Sequence, residues 1–274
     1  MAALRSELSK LFRQRITWAS FAVVLALVAL ITWGSHHERD RFDVSEELGP
    51  HFVVAGKTVT ALFLTNAVMQ VALTVLVPLL IAVVVGGLIA GERQSGTLRM
   101  LLSRPVARWR VLTAKLAAGW TFTISLTLFL GLAGMGLGLL VFGWGDLVVF
   151  RRGLTIFDAQ TGLLRLAQAY ALACLAMCAV ASVALMLSSV FDNPMTAAGL
   201  TVAALLVSQI IAAMPYFEWL EPHLLTAHLS IYREMLSVTV DHAALRGSAS
   251  YLGGYIVASS IIALIVFERR DVTS

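Results

Sequence analysis

Six stretches of this chain are long and apolar, and none holds an Asp, Glu, Lys, Arg or His in its core. Ion-coupled carriers keep titratable groups at bilayer depth, because translocation needs such a group there. Membrane proteases and transferases need clusters of His, Glu or Asp near the membrane. The missing charges argue against both classes. The chain also lacks a Gly-x-x-x-x-Gly-Lys-Ser/Thr sequence, so it has no phosphate-cradling loop of its own. If it moves a compound uphill, the energy comes from a partner. Cysteine is nearly absent: the two present, Cys174 and Cys178, share one apolar run and form no disulfide framework. Charged residues make up 13% against 59% hydrophobic, where soluble proteins carry about 25% charged. No segment is long enough to hold a separate soluble core. The composition predicts one membrane domain over residues 1–274, with no internal repeat.

What is present orders itself along the chain. Residues 1–15 set Leu4, Leu8, Leu11 and Phe12 on one helical face, with Arg5, Lys10, Arg13 and Arg15 around it. That pattern predicts an amphipathic helix lying at the membrane interface. Residues 16–33 are longer than a signal-peptide core. The Gly34-Ser35-His36-His37 that follows offers no small-x-small cleavage site, so an uncleaved first span is expected, with Trp18 and Trp33 near its ends. Further spans are predicted at about 62–90, 116–142, 166–190, 195–214 and 251–267. The second exceeds the roughly 20 residues a bilayer requires, which predicts tilt or a kink at Pro78. Gly134 and Gly138 on the third form a small-xxx-small pair suited to close helix approach. Phe191-Asp192-Asn193-Pro194 reads as a tight turn. Residues 215–248 form a larger outer segment that admits a re-entrant helical pair. The fold class is thus an all-α integral membrane protein of six spans.

Between the second and third spans, residues 91–115 carry Arg93, Arg99, Arg104, Arg108, Arg110 and Lys115 against Glu92 alone. The layout places twelve of the twenty basic residues on one side with this loop and both termini, and eight on the other. That excess predicts a cytoplasmic loop and cytoplasmic termini. Within the loop, Gly91 is expected to release the chain from the preceding span, and Ser95-Gly96-Thr97 supplies turn and N-cap chemistry. Leu98, Leu101 and Leu102 recur at helical spacing, and Ser103-Arg104-Pro105 closes that turn. A short helix with a leucine face and an arginine rim suits docking into a partner's groove.

The run Gly91-Glu92-Arg93-x-x-Gly96-Thr97-Leu98-x-x-Leu101-Leu102-Ser103-x-Pro105-Val106-x-Arg108, followed by Leu112-x-x-Lys115-Leu116, resembles the loop between the second and third spans of type 2 (exporter-class) ABC transporter permeases. The family often has an acidic residue where this chain has Gln94. The ending Phe267-Glu268-Arg269-Arg270-Asp271 is similar to the family's tail. The resemblance implies a multi-pass permease of the cytoplasmic (inner) membrane, paired with a second copy and driven by a separate cytoplasmic ATPase that binds ATP and Mg. It implies no cofactor and no catalysis in this chain, contacts with membrane lipid and none with nucleic acid. Residues 91–115 would be the coupling loop: Glu92, Gly96, Thr97, Leu98, Arg99, Leu101, Leu102, Pro105 and Arg108 would meet the ATPase, the leucines supplying area and Glu92 and Arg99 orienting the contact. The rival classes are an ion-coupled secondary carrier and a non-transporting assembly factor.

Other features admit two readings. Asn66, Gln70 and Thr74, four residues apart, form a polar stripe that either lines a translocation path or hydrogen-bonds between helices. Such bonds are worth about 0.6–2 kcal/mol each in membranes. Cys174 and Cys178 lie one turn apart beside Met177, either as small buried residues or as soft ligands for copper(I). The six histidines all fall on the predicted outer face without ligand spacing.

Overall fold

The computed structural model describes residues 2–37, 59–97, 107–150, 154–217 and 219–269. Helix α1 (Ala2–Arg13) is followed, after Gln14, by α2 (Arg15–His37). The second apolar run is helical throughout, as α3 (Ala61–Val71), a π-helical turn (Ala72–Leu76) and α4 (Val77–Gln94). Then come α5 (Arg108–Val141), an antiparallel hairpin of β1 (Leu147–Phe150) and β2 (Leu154–Phe157), α6 (Ala159–Val190) and α7 (Pro194–Ala212). Short 3-10 turns at Pro215–Phe217, Glu221–His223 and Ile231–Leu236 enclose α8 (Leu225–Leu229), and α9 (His242–Arg269) closes the described chain.

Among the described residues, six helical stretches are long and apolar enough to cross a membrane: Arg15–His37, Ala61–Gln94, Arg108–Val141, Ala159–Val190, Pro194–Ala212 and His242–Arg269. The fold is an all-α membrane protein with six spans, as the sequence predicts. The second and fourth bury 61% of their apolar window inside the chain, the other four only 22–28%. The second and fourth therefore form the core, and the rest each leave a broad apolar face uncovered.

At Pro78, where the sequence predicts tilt or a kink, the helix carries a π turn. Proline has no N–H to donate to the preceding turn, and its ring crowds that turn's carbonyl. The chain widens into the π turn just before it, where the Val77 N–H reaches back to the Ala72 carbonyl, and the helix continues as α4. Such turns mark single-site irregularities inside long helices.

Glycines set how α3 meets α5. A Cβ built on Gly134 would lie 3.4 Å from the Thr65 Cα, and one on Gly138 only 2.8 Å from the Ala61 Cα. The two helices touch backbone to backbone. That end of the bundle is further tied by Ala61 N–H donating to the Gly143 carbonyl (3.1 Å) and Thr60 Oγ1 donating to the Asp146 carbonyl (2.8 Å). Gly143 has φ +80, a left-handed conformation that glycine adopts without strain. This hairpin end of the molecule is a fixed clasp.

Candidate functional site

At the opposite end lie the flanks of the basic loop. Residues 98–106, which include Leu98, Arg99, Leu101, Leu102 and Pro105, fall outside the described residues, but both approaches to them are defined. Gly91 does not release the chain as expected: α4 runs on through Gly91 to Gln94. A lone glycine weakens a helix by about 1 kcal/mol without breaking it. The stop comes at Gly96, whose φ of +73 lies in the left-handed region where helices commonly end. There Ser95 N–H donates to the Gly91 carbonyl (3.0 Å) and Gly96 N–H to the Arg93 carbonyl (3.1 Å). The Ser95 and Thr97 hydroxyls both donate to the Glu92 carbonyl, at 3.2 and 3.3 Å. These bonds cap the carbonyls of Gly91, Glu92 and Arg93.

The sequence counts Lys115 with the basic loop, but the fold places it inside the protein. This residue lies in the third turn of α5 and is fully buried. Its Nζ donates to Glu7 Oε2 (3.0 Å) and to the Leu88 carbonyl (3.0 Å), and stands 2.8 Å from Glu92 Oε2. Lys10 Nζ takes the remaining oxygens, Glu7 Oε1 at 3.1 Å and Glu92 Oε1 at 3.2 Å. The result is a closed ring of alternating charge, Glu7–Lys115–Glu92–Lys10, with no net charge. It joins α1, α4 and α5. Burial pushes the Glu7 carboxyl up, but the charges of Lys115 and Lys10 and their hydrogen bonds more than offset it and hold the group below the usual carboxylate range. Burial pulls Lys10 down, and the two carboxylates hold it above its ordinary value. An isolated buried ammonium is costly, so Lys115 is tolerated because its partners come with it.

Two further ties leave the loop's flanks. Arg93 Nη1 meets Asp192 Oδ1 at 2.8 Å and donates to the Ser189 carbonyl (3.2 Å), reaching the turn between α6 and α7. The Ser188 hydroxyl next to it accepts from the N–H groups of Ile89 and Ala90 (3.1 and 3.0 Å). Arg108 Nη1 donates to the Glu268 carbonyl of α9 (2.9 Å). The base of the loop is therefore attached to the N-terminal helix, the α6–α7 turn and the C-terminal helix. Beside it opens a crevice of about 840 Å³, walled by Leu79, Val83, Met195 and Val202 and rimmed by Glu7 and Glu92.

The model of the ABC-2 family transporter proteins matches residues 1–272. This chain belongs to the ABC-2 transporter family. An uncharacterized protein of Bacillus subtilis (strain 168), YhcI, is 27% identical to it over 212 residues, which are 73% of this chain. The match covers 66% of that relative's length. Membership agrees with the six spans: ABC-2 chains are transmembrane permease components of ABC transporters.

The other predicted residues of this ABC-2 chain fall away from the loop base. Asn66 is buried, Gln70 Nε2 donates to Asn66 Oδ1 (3.4 Å), and Thr74 Oγ1 donates to the Gln70 carbonyl (2.6 Å). Both hydrogen bonds run along the stripe's own helix, and none of the three residues lines the large crevice. Cys174 and Cys178 are half-buried free thiols. Among the described residues no three His, Cys, Asp or Glu side chains converge on a metal position. His223 and His228 pack against the Tyr251 ring, the latter stacked at 4.6 Å.

Glu7 is the residue that sequence reasoning passed over. It falls three residues after Leu4 and four before Leu11, on the apolar face of α1. An acid on an apolar stripe was the signal that it faces inward to a buried cation. Lys115 sits likewise among the buried Val111, Leu112, Ala114 and Ala118.

Proposed function

We propose that this chain is the non-catalytic membrane subunit of an ATP-driven exporter, working as one of two copies with a separate cytoplasmic ATPase that binds the ATP and Mg. The observation that carries the reading is the attachment of the loop base. The segment 91–97 and Arg108 reach α1, the α6–α7 turn and α9 through ion pairs and hydrogen bonds. A push on the loop would therefore be delivered to several spans at once. In this reading Leu98, Leu101 and Leu102 supply docking area, with Arg99, Gly96, Thr97, Pro105 and Arg108 shaping and holding the loop. Glu92 works from inside: its carboxylate is engaged by Lys10 and Lys115, so it fixes the loop's base rather than orienting the ATPase directly.

The ring supplies ionisable groups within the helical bundle, yet it does not favour an ion-coupled carrier. All four members lie at one end, close-paired and neutral together, and Lys115 is only about 10 Å along its helix, at 1.5 Å per residue. The chain would lie in the cytoplasmic membrane with both termini and the 91–115 loop inside. The apolar crevice suits an amphipathic or lipophilic cargo. Affinity purification from the native host tests the reading. It predicts co-purification of a nucleotide-binding ATPase and ATP hydrolysis by the complex. Transport by the purified chain alone, driven in liposomes by an ion gradient without ATP, contradicts it.

A further inference from the structure

We infer that the Glu7–Lys115–Glu92–Lys10 ring is a positioning device that makes α1 and the end of α4 move as one body, so that a displacement of the loop enters the first span through α1. The inference deepens the proposed function and rests on it.

Each carboxylate in the ring gives one oxygen to each lysine, and the lysines stand on different helices, Lys10 on α1 and Lys115 on α5. Partners arranged this way resist sliding, because a shift of α1 away from α4 and α5 breaks the Lys10–Glu92 and Glu7–Lys115 pairs and takes one of its two carboxylates from the buried Lys115. α1 is in turn locked to α2. Across Gln14, the Thr17 hydroxyl donates to the Leu11 carbonyl (2.6 Å), Trp18 Nε1 donates to the Phe12 carbonyl (2.8 Å), and Gln14 N–H donates to the Leu11 carbonyl (3.2 Å). Leu11, between these bonds, is buried. The elbow between the two helices is therefore stiff.

The first span packs chiefly on α5 and meets α4 little, so the ring is its firm connection to the end of the second span. At the other end, α3 is clasped to α5 by Gly134 and Gly138, with the π turn between that clasp and the ring. The second span is thus clasped by backbone contact at one end and, beyond the π turn, held by side-chain pairs at the other, where the ring ties it to α1. Glu7, Lys10 and Lys115 act through Glu92 and the helices and touch no cargo or nucleotide, so they are positioning residues.

The test uses the complex with its ATPase in lipid nanodiscs, on a Cys174→Ala/Cys178→Ala background. Spin labels go at pairs drawn from Ser9 on α1, Gln94 on α4 and Met195 on α7, all exposed. Distances are read by pulsed electron resonance without nucleotide and after trapping with ATP and vanadate. The expected result is a Ser9–Gln94 distance that stays constant while Gln94–Met195 and Ser9–Met195 shift together. In Glu7→Gln/Lys10→Met the neutral Lys115–Glu92 pair remains, so the buried lysine stays paired while α1 loses both of its ion pairs to the other helices. There Gln94–Met195 still shifts on trapping, Ser9–Met195 no longer follows, and thermal midpoint and ATPase assembly stay at parent values. A Ser9–Gln94 distance that changes on trapping in the parent overturns the inference, whether or not the double variant folds. So does a double variant in which Ser9 still follows Gln94. Distances unmoved by nucleotide at every pair overturn the permease reading, and this inference with it.

Discussion

Gly138→Ala asks whether the hairpin end of the second span is as tightly closed as its geometry requires. The added Cβ would lie 2.8 Å from the Ala61 Cα, 3.1 Å from its Cβ and 3.1 Å from its carbonyl oxygen. Two of those three atoms are backbone and cannot rotate away. Ala61 is itself held by the Gly143 carbonyl, and Thr60 by the Asp146 carbonyl, so the neighbour has little room to yield. Forcing an extra methyl into a packed interface costs about 1–3 kcal/mol. Alanine's better helix propensity returns up to about 1 kcal/mol. The difference is about 0–2 kcal/mol of destabilisation, and the two immovable backbone contacts put the expectation at its upper end. Two alanines on the same helix serve as controls: Gly136 has nothing within 4 Å of a built Cβ, and Gly134 makes ordinary contact at 3.4 Å. Thermal unfolding of the three variants in one detergent should lower the midpoint for Gly138→Ala alone. Equal midpoints for Gly138→Ala and Gly136→Ala would refute the reasoning, since the propensity term is the same for both.

Glu7→Gln should show a pH-dependent cost. The folded chain holds the Glu7 carboxyl below its ordinary value, so its stabilisation is present above the usual carboxylate range and lost as pH falls through the lowered value. The midpoint difference between parent and Glu7→Gln should be full at neutral pH and shrink on acidification; a difference independent of pH would contradict the ring. Gly96→Ala should strain the end of α4 by about 1–2 kcal/mol, because φ +73 is unfavourable for any residue with a Cβ. No neighbour lies within 4 Å of that Cβ, so Gly96→Asn, which tolerates the left-handed region better, should recover most of the loss. Matched thermal midpoints of the two variants would count against it.

The spans were legible because a bilayer leaves few alternatives: apolar runs of sufficient length must satisfy their backbone internally, as helices do. Packing by Gly134 and Gly138 was legible as spacing, although only the fold names Thr65 and Ala61 as what they meet. The hairpin was not expected. Leu147-Val148-Val149-Phe150 and its partner strand are four residues each, too short to stand out beside six long apolar runs. The ring was missed for a different reason. Glu7, Glu92 and Lys115 are far apart in the chain, and each reads locally as an ordinary charge near a helix end. Their meaning arises only when α1 folds back across α4 and α5. Counting Lys115 among the loop's cations followed from composition, which cannot separate a solvated charge from a paired, buried one. The end of α4 shows the same limit in miniature. Both Gly91 and Gly96 can end a helix, and the capping hydroxyls of Ser95 and Thr97 select the second.

The central claim is that the 91–115 loop is where an ATPase drives this permease, and Leu101→Asp tests it most directly. The measurement is ATP hydrolysis and ATPase retention in the purified complex, parent against variant, with membrane insertion checked by membrane fractionation. The account predicts an inserted, folded permease that loses its ATPase or no longer responds to it. A Leu101→Asp variant that retains the ATPase subunit and hydrolyses ATP with undiminished coupling to transport would contradict it.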